Sequence, residues 1–301
     1  MVISGLHRAE DEQTFSIIVN ADDFGYTEGV SRGILDLARK GIVTATGVLA
    51  NSPFFDEHVR SLLSVPQVDA GVHLNLTAGR PLTAGLVALM VRTGGEFPRK
   101  KYGFAVSILS GNIAPAVVEE EWDAQIRRCL EAGLRLWFLN SHEHLHMLPP
   151  LYRVIRRLAD CHGIPYIRHT RAEWFGSPTT ESLVRNSVLQ ILDWVNRGGS
   201  RHTAPYLLGS SQSGKLDLAY LKRRLATLRR GQVYELMCHP GHSVAGEAVD
   251  PRLYNYHDWE REMNALLCAE KLGLFRVCRI GFRDLGSHGK LLTGSDAAIS
   301  R

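Results

Sequence analysis

Short apolar runs alternate with amphipathic stretches along this chain. Phe15-Ser-Ile-Ile-Val19 reads as a buried strand, and residues 28–39 as a helix ending at Gly41. Strands are predicted again at 46–50 and 70–76, with a helix at 55–64 between them. Residues 78–114 carry Gly-Arg-Pro, Gly-Gly and Gly-Asn turn signals and read as irregular. Pro115 then opens a helix in which Val118, Trp122, Ile126 and Leu130 recur every four residues up to Gly133. Further strands are predicted at 134–139, 166–168, 232–238 and 275–280, and further helices at 150–162, 180–197, 216–230 and 256–272. Such alternation implies parallel strands joined by helical crossovers. The predicted fold is α/β, a distorted (β/α) barrel of about seven parallel strands, with a doubly wound open sheet as its rival. Residues 1–285 form one domain, and 286–301, rich in Gly and Ser, read as a flexible tail.

Composition narrows the class. With 301 residues, 45% of them apolar and 22% charged, and a net charge of +4, the chain suits a globular domain. Basic residues occur only in short groups such as Arg156-Arg157 and Lys222-Arg223-Arg224 inside helical stretches, so no nucleic-acid partner is expected. No apolar run is long enough to span a membrane, and the first residues lack a signal core. The five cysteines are odd in number, form no Cys-x-x-Cys and sit mostly among apolar neighbours, which points to reduced thiols and a cytoplasmic setting.

The functional signal is where the polar residues fall. The first strand runs into Asn20-Ala-Asp-Asp23, the second into Asn51, and the third into His73 and Asn75. The fourth runs into Asn140, Ser141 and the histidines His142, His144 and His146; the next into Arg168 and His169; the last of the set into His239-Pro-Gly-His242. In parallel α/β folds the carboxyl ends of the strands share one face, and active sites are built there. Taken singly, Asp22-Asp23 could cap a helix, His73 could be a core histidine and His239-Pro-Gly could be a turn. The run 142–146 is harder to read that way. If extended, it would turn His142, His144 and His146 to one side. One Asp with two His is an open metal site, leaving room for water and substrate. A second, unligated carboxylate could then take a proton from that water. The adjacent aspartates suit this division, although the residues alone leave open which does which.

The segments Asn20-Ala-Asp-Asp-Phe-Gly25, Gly71-Val-His-Leu-Asn-Leu-Thr77 with Gly79-Arg-Pro81, Ser141-His-Glu-His-Leu-His146 and Glu235-Leu-Met-Cys-His-Pro240 resemble the YdjC-like carbohydrate deacetylases. That family includes chitooligosaccharide deacetylases and deacetylases linked to hopanoid biosynthesis. The resemblance runs from about residue 16 to 285. It implies a barrel related to polysaccharide deacetylases, one divalent metal held by Asp23, His73 and His142, and Asp22 as general base. His239 is the candidate acid, and Asn51, Asn75, Asn140, His144, His146 and Arg168 are candidate outer-sphere or substrate-facing groups. Many members carry His-x-Asp-Ser-His, whereas this chain has Phe138-Leu-Asn-Ser-His142, so Phe138 stands for a histidine and Asn140 for a carboxylate.

The expected reaction is hydrolysis of the acetamide of an N-acetylated sugar, with release of acetate. The ligand chemistry favours zinc or another transition metal, while the family resemblance keeps magnesium open. The alternatives are a metal-dependent phosphoesterase on a sugar phosphate and a non-catalytic sugar-binding protein. A glycosidase fits poorly, since its two carboxylates must flank the bond and Asp22 and Asp23 are adjacent. A homodimer is expected by analogy alone.

Overall fold

The computed structural model describes residues 15–97, 101–174, 180–196, 205–244, 246–247, 255–275 and 278–286. Within them the apolar runs become β1 (Ser16–Phe24), β2 (Ala45–Val48), β3 (Asp69–Leu74), β4 (Leu136–Ser141), β5 (Tyr166–Ile167), β6 (Tyr206–Leu208), β7 (Val233–Cys238) and β8 (Cys278–Arg279). The helices are α1 (Glu28–Arg39), α2 (Phe55–Leu63), α3 (Ala84–Leu89), α4 (Lys101–Leu109), α5 (Pro115–Glu131), α6 (Pro149–His162), α7 (Thr180–Asn196), α8 (Leu218–Leu225) and α9 (Trp259–Lys271). Several begin where the chain supplies a start: the Thr27 side chain accepts the Val30 N–H at α1, Pro opens α5 and α6, and Asp217 and Asp258 cap α8 and α9.

Every described strand pairing is parallel, in the order β5-β4-β3-β2-β1-β7-β6, with β8 against the first residues of β1. The sheet curls strongly. β5 stands four strands from β1, roughly 19 Å away in a flat sheet, yet the Arg168 guanidinium, one residue beyond β5, lies 2.5 Å from the Asp22 carboxylate on β1. Only a sheet wrapped into a half-barrel allows that contact, so the open-sheet rival is excluded.

The inside of the barrel is layered. Its lower end is filled by Ile18, Ala45, Phe138, Tyr166, Ile280, Phe282 and Leu285. The Phe138 and Phe282 rings stack at 4.4 Å, and the Tyr166 hydroxyl donates to the Leu285 carbonyl at 2.6 Å. The segment after β8 is thus the plug of the barrel, held further by Arg283 on buried Asp69. Phe138 belongs to this plug. Gly71 faces its ring: a Cβ there would come within 2.6 Å of the aromatic carbons and 2.5 Å of the Phe138 carbonyl oxygen. Gly71→Ala is therefore expected to destabilise the fold by about 1–3 kcal/mol through overpacking, read as a lower thermal midpoint.

Three sequence expectations change. The segment 78–114 is not irregular: it contains α3, α4 and a 3-10 turn at Val91–Thr93, whose short lengths hid their periodicity. β6 was missed because three residues give too little alternation to read. Of the strand expected at 275–280, Cys278–Arg279 is strand, and 276–277 lie outside the described residues. Most of the expected flexible tail, 287–301, lies outside the described residues.

Candidate metal centre

Alternation along β1 sends Ile18, Asn20 and Asp22 into the barrel. Asp23 should then point outward. It does not, because the β1–β2 register shifts between Ala21 and Phe24 and Asp23 takes a left-handed backbone, φ 68. Asp tolerates that conformation better than most residues, and bulges commonly re-aim side chains beside active sites. Both consecutive carboxylates consequently reach the same face. They lie within the strand rather than just after it, and neither caps α1.

Asp23, His73 and His142 offer ligand atoms that all lie within 4.8 Å of one another, and all three side chains are buried. His142 Nδ1 is 2.9 Å and His73 Nε2 3.2 Å from the same oxygen of Asp23. The other His73 nitrogen is engaged: Nδ1 donates to Asn140 Oδ1 at 2.8 Å, which leaves the Nε2 lone pair to serve as the ligand. Asn140 in turn donates to Asp22 Oδ1 at 2.9 Å. A carboxylate at 140 could accept from His73 but would repel Asp22; the amide does both jobs. One carboxylate and two imidazoles converging on one point, with the outer nitrogen of His73 held by Asn140, fit a divalent transition metal. Gly47 keeps the floor open, since a Cβ there would sit 3.2 Å from both Asp22 Oδ1 and His73 Cβ.

Asp22 is not part of that triad. Arg168 grips it from below through Nη1–Oδ2 at 2.5 Å and Nη2–Oδ1 at 3.0 Å, while Arg168 Nε reaches Glu235 Oε1 at 2.8 Å. Asn20 Nδ2 also donates to Glu235, at 2.8 Å. Burial works to raise the Asp22 pKa, but the Arg168 charge, with His73 and His239, holds it well below the usual carboxylate range. Burial likewise opposes ionisation of Asp23, and His142 and His73 outweigh it.

His239 follows β7 and is buried. Its own N–H donates to Glu262 Oε2 at 2.5 Å, and its ring Nδ1 faces Glu262 Oε1 at 3.7 Å, a charge contact too long for a hydrogen bond. Burial pulls the imidazole pKa down, but Glu262, Asp23 and Asp22 push it up to about 9. Glu262 lies on α9 and carried no motif that sequence reasoning could use. Glu235 stands inside a quoted motif, but the sequence reading gave it no role.

The remaining candidates divide. Asn140 and Arg168 touch the centre directly. Asn51 and Asn75 bond each other at 2.9 Å and hold the carbonyls of Ala78 and Arg80, so they brace the loop after β3. The histidine run is not extended: residues 142–147 form a 3-10 turn with left-handed Glu143 and His144. The three imidazoles therefore diverge. His142 joins Asp23, His144 meets Thr170 at 3.2 Å, and His146 turns under, between Ser141 Oγ and the Arg168 carbonyl. Burial, with the nearby Arg168 charge, lowers the His146 pKa to about 3, so it is a neutral strut.

Residues 16–273 match the family described as YdjC-like protein. Carbohydrate deacetylase 1 of Listeria innocua serovar 6a is 40% identical over 171 residues, covering 57% of this chain and 68% of that protein. A carbohydrate deacetylase of Geobacillus stearothermophilus is 31% identical over 225 residues, covering 75% of this chain and 79% of that one. A solved structure from Enterococcus faecalis V583, described as a cellobiose-phosphate cleavage protein, superposes with a TM-score of 0.66 at 26% identity, covering 90% of this chain and 98% of its own.

Proposed function

Since the chain belongs to the YdjC-like family, we propose that it is a carbohydrate deacetylase that hydrolyses the acetamide of an N-acetylated sugar, using one divalent metal ion. One observation carries this reading: an ionised, buried carboxylate, Asp22, stands unligated beside the Asp23–His73–His142 cluster. A metal held by these three residues, zinc or another transition metal by its ligands, would polarise the acetamide carbonyl and make a bound water more acidic.

The chain's own groups supply the proton transfers. Asp22 takes a proton from the attacking water, and Arg168 and Asn140 fix its carboxylate for that transfer. His239, protonated at neutral pH, gives a proton to the departing nitrogen. Acetate and the free amino sugar result. A phosphoesterase is the second reading, since a metal ion and histidines also serve phosphoryl transfer. The free cysteines, among them exposed Cys161 and Cys268, favour a reducing, cytoplasmic setting.

The test is acetate release from N-acetylated mono- and oligosaccharides, before and after chelation and metal restoration. Chelation is expected to abolish release, and restoration of zinc or a related ion to recover it. Chelator-resistant release would overturn the metal assignment; phosphate release from sugar phosphates without any acetate release would favour the second reading. The pH profile gives an independent check. An acid must be protonated to work, so activity falls as pH rises through the His239 pKa. That limb lies at or below about 9, a bound cation moving it down. Glu262→Gln removes the charge facing the ring and is expected to shift the limb further down, by about one unit.

A further inference from the structure

An imidazole that delivers a proton must be aimed, and a hydrogen bond on its other ring nitrogen is the usual means. His239 lacks that bond: its buried Nδ1 has no hydrogen-bond partner among the described residues. The Glu262 carboxylate stands 3.7 Å away, but the backbone already takes both of its oxygens. Oε1 accepts the Leu216 N–H at 3.2 Å, and Oε2 accepts the His239 N–H at 2.5 Å. Glu262 therefore supplies charge beside the ring without fixing its rotation. Left to itself, the second side-chain torsion of a histidine is broad.

The ring rests instead against a second imidazole. His257, in the segment just before α9, is buried, and its ring centroid lies 4.7 Å from that of His239, with the planes at 53°. His257 is itself held on three sides. The Trp259 indole lies parallel to it at 5.9 Å, and the Tyr256 ring meets it edge-on at 5.0 Å. On the third side is Gly214, where a Cβ would come within 3.1 Å of His257 Nδ1. The Asp258 N–H clamps the backbone by donating to the Gly214 carbonyl at 2.7 Å. Nδ1 of His257 is also buried with no hydrogen-bond partner among the described residues, so no bond through that nitrogen ties the ring into the fold. Burial, with the neighbouring His239 charge, holds its pKa down to about 3, and the ring meets the His239 cation as a neutral aromatic face. Asp23, His142 and Asp22 act on it as well, which places it beside the metal centre.

We propose that His257 is a positioning residue: its ring, backed by Trp259, fixes the His239 imidazole in the orientation that delivers a proton to the departing nitrogen. This rests on the reading of His239 as the acid. A rigid aromatic wall suits the task, since it attracts the imidazolium through its face and its buried edge keeps water away from the ring.

Three variants of the metal-loaded protein, assayed on an N-acetylated sugar, test this. His239→Gln is expected to lose about 10²–10⁴ in kcat, the range of a lost general acid. His257→Ala is expected to lose about ten- to a hundred-fold in kcat, with KM within about two-fold and the metal retained, because a misplaced acid slows the chemistry without weakening binding. His257→Phe restores a flat ring and is expected to recover kcat to within about three-fold of the wild type. His257→Leu, which fills the space without a flat face, takes the place of the Ala variant if that protein loses its circular dichroism spectrum. Wild-type kcat in the Ala variant overturns the proposal. So does a Phe variant as slow as the Ala variant, which would give the work to a His257 nitrogen, and so does a rise in KM alone, which would make His257 a substrate contact. Near-normal turnover of His239→Gln, or a wild type that releases no acetate, defeats the functional reading instead. The ring contact is then judged by imidazole NMR of the zinc-loaded protein. One fixed His239 environment is expected in the wild type and the Phe variant, and averaging in the Ala variant; an equally fixed ring in the Ala variant overturns the proposal.

Discussion

Asp22→Asn is expected to lower kcat of the metal-loaded protein by about 10²–10⁴ while leaving one metal per chain. The range is that of a lost general base. The substitution keeps the size of the side chain but removes the carboxylate proton acceptor placed beside the metal ligands and not among them. The two readouts separate the roles. Loss of metal together with activity would make Asp22 a ligand; near-normal turnover would remove it from the reaction. The same variant leaves Arg168 with Glu235 as its remaining carboxylate partner, so a modest fall in stability accompanies the kinetic loss and is measured separately.

The second large effect is on stability. Arg168→Met is expected to cost about 3–5 kcal/mol, the scale for breaking a buried ion pair by removing one partner. Two carboxylates, Asp22 and Glu235, share this guanidinium inside the barrel, and all three side chains are buried. The pH dependence has a definite sign. Because the folded pKa of Asp22 is depressed, its ionisation contributes stability above the unfolded value near 4, lost as pH falls through the depressed folded value. Without Arg168, burial is opposed only by His73 and His239 and raises that pKa, so acid sensitivity begins at higher pH. Denaturant titrations at two pH values measure both effects; an unchanged midpoint at neutral pH would mean that the ion pair contributes no net stability.

Much of this was legible in the chain. The strand–helix alternation determined a parallel α/β architecture, because buried parallel strands read as plain apolar runs whatever their partners. The placement of Asp, His and Asn at the ends of those runs determined that one face carries the chemistry. The motifs also named Asp23, His73 and His142, which the fold brings within ligand distance of one another. What the chain could not state were relations between elements. Glu262 looks like any helix glutamate until α9 packs its carboxylate against His239. The apolar face of α7 looks like a core face until the fold turns its polar side inward.

Local periodicity also misled wherever the backbone left its regular path. Period-two alternation would send Asp22 and Asp23 to opposite sides of β1 and His142, His144 and His146 to the same side. A left-handed residue and a register shift in β1 reverse the first, and two left-handed residues after Ser141 reverse the second. The sequence by itself determined which residues make up the candidate site and at which end of the strands they stand, since burial pattern and residue type are local properties. Only the tertiary structure decided which way each one points and what holds it there. Those choices depend on backbone conformations that non-glycine residues adopt at a cost, sustained only when packing and hydrogen bonds from distant segments compensate.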